Sequence, residues 1–348
     1  MKLLRRYLGS LTFSDNGQDT LDLPRNHVYS ALQFLLVADL DREAGSGGTC
    51  KDSAPAQLVK NLELVINGKN TLKRMDFETL HRLCQMRHGV RPYIYAHELL
   101  GYGALDDDIS KVMAQFDFEL PRNGPWTKNV DCLLDARGLS DLDLVVTWGT
   151  GLDIMDDTCD CASVTVNSAK LFVWTIERVA APSANYAMWK EWKKTTSVSA
   201  AGSLTIDLPT QTTYESLFIK THSDGDQVDT ILPFGLANLN DILLYSGTEQ
   251  FLRLPAGLLQ ATNRLDNQIE VPERIGSGAA LNHAQQELLL EGYYHVNFVH
   301  DGFLTEMLDT SRLSDLKLEL DVANPGTDDK VEVIASEIIL PAVSPTAA

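Results

Sequence analysis

Short segments in which apolar and polar residues alternate recur along the whole chain. In the first half, residues 19–23, 62–66, 112–120 and 142–148 each place an apolar side chain at every second position. A period of two is typical of a β-strand with one buried face. Asn67-Gly68 directly follows the second of these segments, and this dipeptide favours the tight turn of a β-hairpin. The pattern predicts a chain built mainly of short strands.

Helical periodicity is limited to a few short stretches. Asp76 precedes a segment in which Phe77, Leu80 and Leu83 recur at helical spacing, which predicts a short capped helix. In the second half, Pro255 opens a comparable segment, since proline is tolerated in the first helical turn. Too few helices separate the strands for parallel βαβ crossovers. We therefore expect an all-β fold, with about eight strands in each half, as in a jelly-roll or sandwich.

Two sequence motifs occur twice, in the same order. TLDLP at residues 20–24, followed by Tyr29, returns as TIDLP at residues 205–209, followed by Tyr214. LSDL at residues 139–142 returns at residues 313–316. The members of these pairs lie 185 and 174 residues apart, so the order is kept while the loops of the second copy are shorter. Ordered repeats of this kind indicate a tandem duplication of one β-rich domain.

The duplication predicts two tandem eight-stranded jelly-rolls, a double jelly-roll with short helices in its loops. We expect the first jelly-roll at residues 1–180, a linker with a short helix at 181–195, and the second jelly-roll at 196–348. In the linker, Tyr186, Trp189 and Trp192 recur near one side of a helix. Their aromatic face is expected to pack in the groove between the two domains.

The composition limits the classes of partner. A net charge of −19 over 348 residues argues against direct nucleic-acid binding, because the phosphate backbone would repel the chain. The five cysteines form an odd and scattered set, which predicts reduced thiols and synthesis in the cytoplasm. Residues 1–7 have a basic start without an apolar core, so we expect no signal peptide. No segment approaches the ~20 apolar residues that span a bilayer.

Two acidic clusters are candidate calcium sites, since Ca²⁺ takes about six to eight oxygen ligands from flexible loops. Neither cluster matches an EF-hand, and a solvated acidic loop is the alternative interpretation. The carboxylates concerned are Asp106, Asp107, Asp108, Asp153, Asp156, Asp157 and Asp160. Calcium would bridge like-charged faces of neighbouring subunits, although we expect the fold to require no cofactor.

The sequence contains no nucleophile elbow, phosphate-binding loop or dinucleotide fingerprint. A metal-binding jelly-roll enzyme needs two or three histidines and a glutamate that converge on strands. His295 and His300 are the nearest histidine pair, and no glutamate lies at a useful spacing from them. We therefore expect no catalytic residues. Carbohydrate binding or glycan processing by a double jelly-roll is the alternative function that stays open.

Six segments of the first copy form a recognisable series. In chain order they are TLDLP at 20–24 with Val28-Tyr29, LELVINGKNTL at 62–72, FETLHRL at 77–83, Arg87-His-Gly89, FDFELPR at 116–122 and LSDL at 139–142. This series resembles the double jelly-roll major capsid proteins of tailless icosahedral viruses with an internal membrane, of the corticovirus and tectivirus kind. Through the internal repeat, the resemblance extends over essentially the whole chain.

The resemblance implies a structural protein, not an enzyme: a major capsid protein of a virus such as a bacteriophage, located in the virion shell. Three chains would form a trimer with a pseudo-hexagonal outline, and the trimers would tile an icosahedral lattice. Penton proteins, minor capsid proteins and proteins of the internal membrane are the further partners that it implies.

The same resemblance places the chain termini toward the membrane. Lys2, Arg5 and Arg6 would then contact anionic lipid headgroups, each contributing about 1 kcal/mol. A solvated N-terminus is the alternative interpretation. The longer loops of the first copy, residues 41–57, 95–108 and 149–162, would project outward from the shell.

Overall fold

The structure is a computed structural model. It describes residues 2–42, 54–95, 105–121, 128–129, 132–154, 164–182, 186–222, 239–269, 290, 292–300, 303–323, 325 and 329–339.

The described part of the first half contains twelve strands, one α-helix and three short 3-10 helices. In chain order the strands and the α-helix are β1 (Lys2–Thr12), β2 (Gln18–Asp22), β3 (Val28–Arg42), β4 (Val59–Ile66), β5 (Asn70–Met75), α1 (Phe77–His88), β6 (Ile94–Tyr95), β7 (Leu105–Asp117), β8 (Leu120–Pro121), β9 (Lys128–Asn129), β10 (Leu134–Asp135), β11 (Leu142–Trp148) and β12 (Val164–Val179). The hairpin predicted at Asn67-Gly68 joins β4 to β5, and both of its residues have the positive φ angles that such a turn requires.

Most of these strands form two sheets that pack face to face, while β8 and β9 pair only with each other. One sheet has the order β1-β12-β3-β7-β6, with β10 beside β3, and the other has the order β5-β4-β11-β2. Apolar residues at every second position point between the sheets, where Phe34 and Phe116 meet edge to face at 5.3 Å. Many strands that are neighbours in these sheets are distant in sequence, which is typical of the jelly-roll topology.

The second half repeats the arrangement. Its elements are β13 (Met188–Ser197), β14 (Gly202–Asp207), β15 (Thr213–His222), β16 (Leu239–Ser246), β17 (Glu249–Pro255), α2 (Ala256–Asp266), β18 (Tyr293–Asn297), β19 (Leu308–Asp309), β20 (Lys317–Val322) and β21 (Lys330–Ile339). The sheet β13-β21-β15-β18 matches β1-β12-β3-β7, and β17-β16-β20-β14 matches β5-β4-β11-β2. The short strands β10 and β19 also pair equivalently, with β3 and β15. The predicted all-β fold with two tandem jelly-rolls is confirmed.

The linker helix predicted within residues 181–195 is wrong, because Met188–Ser197 is strand β13. Trp189 and Trp192 lie on opposite faces of this strand. The Trp189 ring is fully buried between the two halves, whereas the indole of Trp192 donates a hydrogen bond to Glu337 at 2.6 Å. The aromatic spacing that suggested a helix therefore comes from two faces of one strand. Because β13 pairs with β21 as β1 pairs with β12, we propose that the second jelly-roll begins at Met188.

The repeated motifs TLDLP and TIDLP carry the same hydrogen bond. The hydroxyl of Tyr29 donates to the carbonyl oxygen of Pro24, and the hydroxyl of Tyr214 donates to that of Pro209 at 2.7 Å. Burial raises the pKa of both tyrosines, so both hydroxyls stay protonated. Each bond closes the corner between two strands of opposite sheets, which explains why the spacing from proline to tyrosine is identical in the two copies.

Removing these hydroxyls is expected to destabilise the fold. We expect Tyr29→Phe and Tyr214→Phe each to lower the free energy of unfolding by about 1 kcal/mol, since each loses one part-buried hydrogen bond. Tyr186→Phe is the matched control, because its hydroxyl reaches the Pro182 carbonyl at 3.2 Å on the surface. Urea denaturation measures all three variants, and equal losses in the three would contradict a structural role for the repeated motif.

Candidate functional site: two equivalent sheet faces

Strand pairing defines which residues of the two copies are equivalent. Tyr29 lies opposite Glu177, and Tyr214 lies opposite Glu337, so the registers of β3-β12 and β15-β21 correspond. On the neighbouring strands, Arg5 lies opposite Ile176, and Glu191 lies opposite Ser336. Arg5 of the first copy is therefore equivalent to Glu191 of the second.

The same registers define two equivalent outer faces, on the sides of the sheets that point away from the jelly-roll cores. We call Leu3, Arg5, Tyr7, Leu35, Phe172, Trp174 and Ile176 the first outer face. Their equivalents, in the same order, form the second outer face: Trp189, Glu191, Lys193, Lys220, Glu332, Ile334 and Ser336. The two faces have the same backbone frame and different chemistry.

The second outer face is covered by α1 and β5 of the first copy, a contact that we call the seam. Asp76 caps α1 as predicted, since its carboxylate accepts a hydrogen bond from the Thr79 amide at 2.8 Å. Gly89 ends the helix at a φ of 70°, a left-handed conformation that glycine adopts without strain. All residues of α1 from Phe77 to Arg87 are buried, polar ones included. A helix that is buried on every side has packing partners in both copies.

Glu191 is at the centre of the seam. Its two carboxylate oxygens accept hydrogen bonds from Lys73 Nζ and Arg87 Nη2, each at 2.6 Å. Both cations also lie 4.5 Å from the centre of the Trp189 ring. Burial alone would raise the pKa of Glu191, but Arg87 and Lys73 hold that pKa below its ordinary value. Glu191 is therefore charged, and it compensates two buried cations.

A second buried ion pair lies at the N-terminal end of α1. Lys220 Nζ donates to Glu78 Oε2 at 2.6 Å, and the Tyr293 hydroxyl donates to Glu78 Oε1 at 2.5 Å. Burial opposes the ionisation of Glu78, but Lys220 and Arg82 lower its pKa to about 2. Polar contacts of this density at a buried surface fix one relative position of the two jelly-rolls more than they add stability.

The seam also joins two sheets. Lys73 of β5 and Glu191 of β13 form a parallel β-bridge, so β5-β4-β11-β2 continues into β13-β21-β15-β18 and, with β19 beside β15, forms a single nine-stranded sheet. The edge strand of one jelly-roll thereby meets the edge strand of the next. This contact protects both edges from pairing with other chains.

The first outer face has no such cover within the described residues. Leu3 is 56% exposed and Tyr7 is 51% exposed. Tyr7, Phe172 and Trp174 form an aromatic group, with ring centres 5.4 Å apart for Tyr7 and Trp174 and 6.1 Å apart for Phe172 and Trp174. A contiguous exposed apolar patch of this kind marks an interaction surface. Strand β1 is also at the end of its sheet, as β17 is in the second copy.

The predicted calcium ligands are only partly described. Asp153 accepts hydrogen bonds from the backbone nitrogen of Thr150 at 2.6 Å and from its hydroxyl at 3.1 Å, and it pairs with Lys60 at 2.9 Å. Asp156, Asp157 and Asp160 lie outside the described residues. Asp106, Asp107 and Asp108 were expected in a loop but belong to strand β7, and their side chains lie outside the described part. Calcium binding at these residues stays a prediction.

The described residues contain one group of three carboxylates that sequence reasoning missed. Asp22, Asp141 and Asp143 have oxygen atoms within 4.8 Å of one another. Burial, followed by the charges of Asp141 and Asp22, raises the pKa of Asp143. The internal repeat contained a signal for this acidic group. LSDLDL in the first copy becomes LSDLKL in the second, so Lys317 occupies the position equivalent to Asp143. Arg25 lies 3.8 Å from Asp141 and supplies part of the compensating charge.

The three predicted lipid-contacting residues do not share one face. Arg5 is exposed on the first outer face. Arg6 points to the opposite side of β1, where its guanidinium lies 2.7 Å from both carboxylate oxygens of the buried Glu177. Lys2 begins β1, and its side chain lies outside the described part. The partly exposed Arg6 is thus paired with a buried carboxylate, and a lipid contact by Lys2 and Arg5 stays a prediction.

No α-helix in the described part of the chain has the length and apolar character that a membrane span requires.

Comparisons with known proteins agree on the architecture. No family model matches the chain, and no curated protein sequence matches it. Among solved structures, the chain is similar to the STIV MCP, with a TM-score of 0.74 and 15% identity over 100% of both chains. It is also similar to the major capsid protein P2 from Bacteriophage PM2, with a TM-score of 0.59 and 13% identity over 99% of both chains. The PBCV-1 virus capsid matches with a TM-score of 0.59 and 10% identity over 99% of this chain and 97% of that chain. Similarity at these identities establishes a shared fold, which extends over the whole chain.

Proposed function

We propose that the chain is the major capsid protein of an icosahedral virus and that it builds the virion shell by self-association. The observation that carries this proposal is the full-length match of both jelly-rolls, in their tandem arrangement, to solved major capsid proteins. We further infer that the protein is structural and has no catalytic site.

The difference in solvent exposure between the two outer faces supports self-association. The second face is covered by the first copy of the same chain, whereas the first face exposes Leu3 and Tyr7. A subunit that leaves one of two equivalent surfaces open is incomplete by itself. If neighbouring chains cover the open face, each contact joins two different surfaces, and such head-to-tail contacts form a ring when the rotation between subunits closes. Three chains with two jelly-rolls each would give the pseudo-hexagonal trimer.

The further partners follow from the same proposal. Trimers would tile a lattice, with penton and minor capsid proteins at its special positions and an internal membrane beneath it. Lys2 and Arg5 are the N-terminal residues that remain candidates for contact with anionic lipid.

Light scattering and negative-stain microscopy of the purified chain test the proposal. We expect a particle of three times the 38.5 kDa chain mass, with a hexagonal outline or assembled into sheets and shells. The measurement is made with calcium and with a chelator, so that a change in assembly also tests the predicted calcium sites. A monomer at every concentration, in both conditions, would contradict the proposed function.

Carbohydrate binding is a second candidate, and one specific observation favours it. Tyr7, Phe172 and Trp174 place three aromatic rings on a part-exposed strand face, and sugar-binding surfaces commonly present such rings. A glycan array distinguishes the two functions. Binding that Trp174→Ala abolishes in an unassembled chain would support the alternative, and an array without hits would remove it.

A further inference from the structure

We propose that the first outer face of one chain is covered by β17 and α2 of a neighbouring chain, in the same geometry in which β5 and α1 cover the second outer face. This inference rests on the proposed self-association and identifies the residues that perform it. We call Leu252, Pro255, Leu258, Leu265 and Asp266 the second-copy edge, and we call its contact with the first outer face the joint. The seam inside each chain is then a template for the joint between chains.

The equivalence of α1 and α2 fixes which residues would meet. In the first copy, Cys84 Sγ donates to the Gln115 carbonyl at 3.1 Å, and in the second, Asn263 Nδ2 donates to the His295 carbonyl at 2.6 Å. Beyond the helix ends, Gly89 and Gln268 both have positive φ angles, 70° and 51°. These matches place the two helices in one register.

In that register, each residue of the second-copy edge has a counterpart in the seam. Leu252, Pro255, Leu258, Leu265 and Asp266 are equivalent to Lys73, Asp76, Thr79, Met86 and Arg87 respectively. The two sides of the proposed joint can therefore be compared with the two sides of the seam, contact by contact.

The central ion pair is reversed on both sides at once. In the seam, Arg87 donates to Glu191 at 2.6 Å. At the equivalent positions, the second-copy edge has Asp266 and the first outer face has Arg5, and both are exposed in the single chain. The exchange of a cation for an anion on one surface is matched by the opposite exchange on the other. Charge complementarity is thus kept, as expected for two surfaces that bind each other.

A charged pair next to this one in the seam is replaced by uncharged residues on both surfaces of the proposed joint. In the seam, Lys193 pairs with Asp76 at 3.3 Å. The equivalents of this pair are Tyr7 and Pro255. Where one surface loses a charge, the opposite surface loses the partner charge, so the joint would contain no unpaired ion from this position.

A second buried pair changes in the same way. Lys220 binds Glu78 at 2.6 Å and Thr79 at 3.2 Å in the seam. Its equivalent on the first outer face is Leu35, which would face Leu258 of the second-copy edge. Leu258 is 52% exposed and Leu265 is 79% exposed, and their spacing of seven residues puts both on one face of α2, which a partner would cover.

The free sheet edges fit the same geometry. Strands β5 and β13 meet through the parallel bridge between Lys73 and Glu191. Their equivalents β17 and β1 are both at the ends of their sheets in the described structure. A bridge between Leu252 of one chain and Arg5 of the next would continue the sheet across the joint by strand addition. The contact joins an edge to a face, so a two-fold dimer leaves surfaces open and only a ring covers all of them.

Charge reversal tests the joint in the full chain. We expect Arg5→Glu and Asp266→Arg each to raise the concentration at which trimers dissociate by at least about tenfold, as measured by sedimentation velocity. The double variant Arg5→Glu with Asp266→Arg restores the pair in reversed order and is expected to return to within about threefold of the parent chain. Arg74→Glu is the control, because Arg74 is 58% exposed and lies outside both surfaces. Circular dichroism and thermal unfolding verify that each variant is folded.

The outcomes separate this inference from the proposed function. If the parent chain forms trimers and both single variants do so equally well, the joint is wrong, and self-association uses another surface. If the folded single variants dissociate and the double variant does not recover, the pairing of Arg5 with Asp266 is wrong. A parent chain that never associates contradicts the proposed function itself, and the joint with it.

Discussion

Replacing Glu191 by alanine is expected to lower the free energy of unfolding by about 3–5 kcal/mol, one of the two largest effects that the structure predicts. The change leaves Lys73 and Arg87 as buried cations without the carboxylate that both of them bind at 2.6 Å. Lys73 is fully buried and Arg87 is only 6% exposed, and Trp189 offers both cations only its ring face. The other nearby carboxylates, Asp117 and Glu215, which is 3.9 Å from Arg87, do not replace two direct ion pairs.

Urea denaturation of the variants measures this effect, with two comparisons. Glu191→Gln keeps the side-chain shape and removes the charge, so it separates electrostatics from packing and is expected to lie between the parent chain and Glu191→Ala. Glu63→Ala breaks a surface pair with Arg74 at 3.3 Å and is expected to cost less than about 1 kcal/mol. Equal losses for Glu191→Ala and Glu63→Ala would show that the seam is not the charged, buried contact described above.

Acidification from pH 7 to pH 5 is expected to remove about 4 kcal/mol of stability through two buried histidines. Burial, with the nearby Arg82 and Arg91, lowers the pKa of His81 to about 3 despite Glu78. Burial and Arg87 likewise lower the pKa of His295 to about 3, with Glu191 opposing.

The direction follows from proton binding in the two states. The unfolded chain takes up these protons near pH 6.5, whereas the folded chain stays neutral at both sites until about pH 3. The stability from neutral histidines is therefore complete above pH 6.5 and is lost progressively as the pH falls toward 3. Each site contributes about 1.4 kcal/mol per pH unit, or about 2 kcal/mol at pH 5. Burial raises the pKa of Glu215, so the contribution of the two histidines is isolated by comparison with a matched variant and not by the slope of the parent chain alone.

Each copy supplies the matched replacement for the buried histidine of the other copy. Gln260 occupies the position equivalent to His81, and Gln115 occupies the position equivalent to His295. The double variant His81→Gln with His295→Gln therefore uses residues that the fold already accepts at these positions. We expect the loss of stability of this variant between pH 7 and pH 5 to be about 4 kcal/mol smaller than that of the parent chain. A slope equal to that of the parent chain would exclude the two histidines as its cause.

Local patterns were sufficient to predict most of the fold. Strand β11 has the predicted bounds, Leu142–Trp148, because every second residue is apolar and buried. The turn at Asn67-Gly68 and the capping by Asp76 depend on residues within four positions of one another, so the sequence contains the whole signal. The repeated proline-to-tyrosine spacing also has a local cause, the hydrogen bond within each motif.

The seam was not predictable in the same way, because its partners are far apart in sequence. Arg87 and Glu191 are 104 residues apart. When only the residues adjacent in sequence are considered, each of them is indistinguishable from a charged residue on the surface. In β13 the alternation of apolar and polar residues is not visible in the sequence, because the charged Glu191 occupies a buried position. A helix with Trp189 and Trp192 on one side was therefore the simpler interpretation. Only the pairing of β13 with β21 revealed that this segment repeats β1.

The central claim is that one contact geometry is used twice, inside each chain as the seam and between chains as the joint. A cryo-electron microscopy map of the assembled protein tests it most directly. The account predicts six jelly-rolls in a closed ring of three chains, with β17 and α2 of each chain against β1 and β12 of the next, and with Asp266 beside Arg5. A ring in which the aromatic face of Tyr7 and Trp174 stays exposed, or particles that contain a single chain, would contradict it.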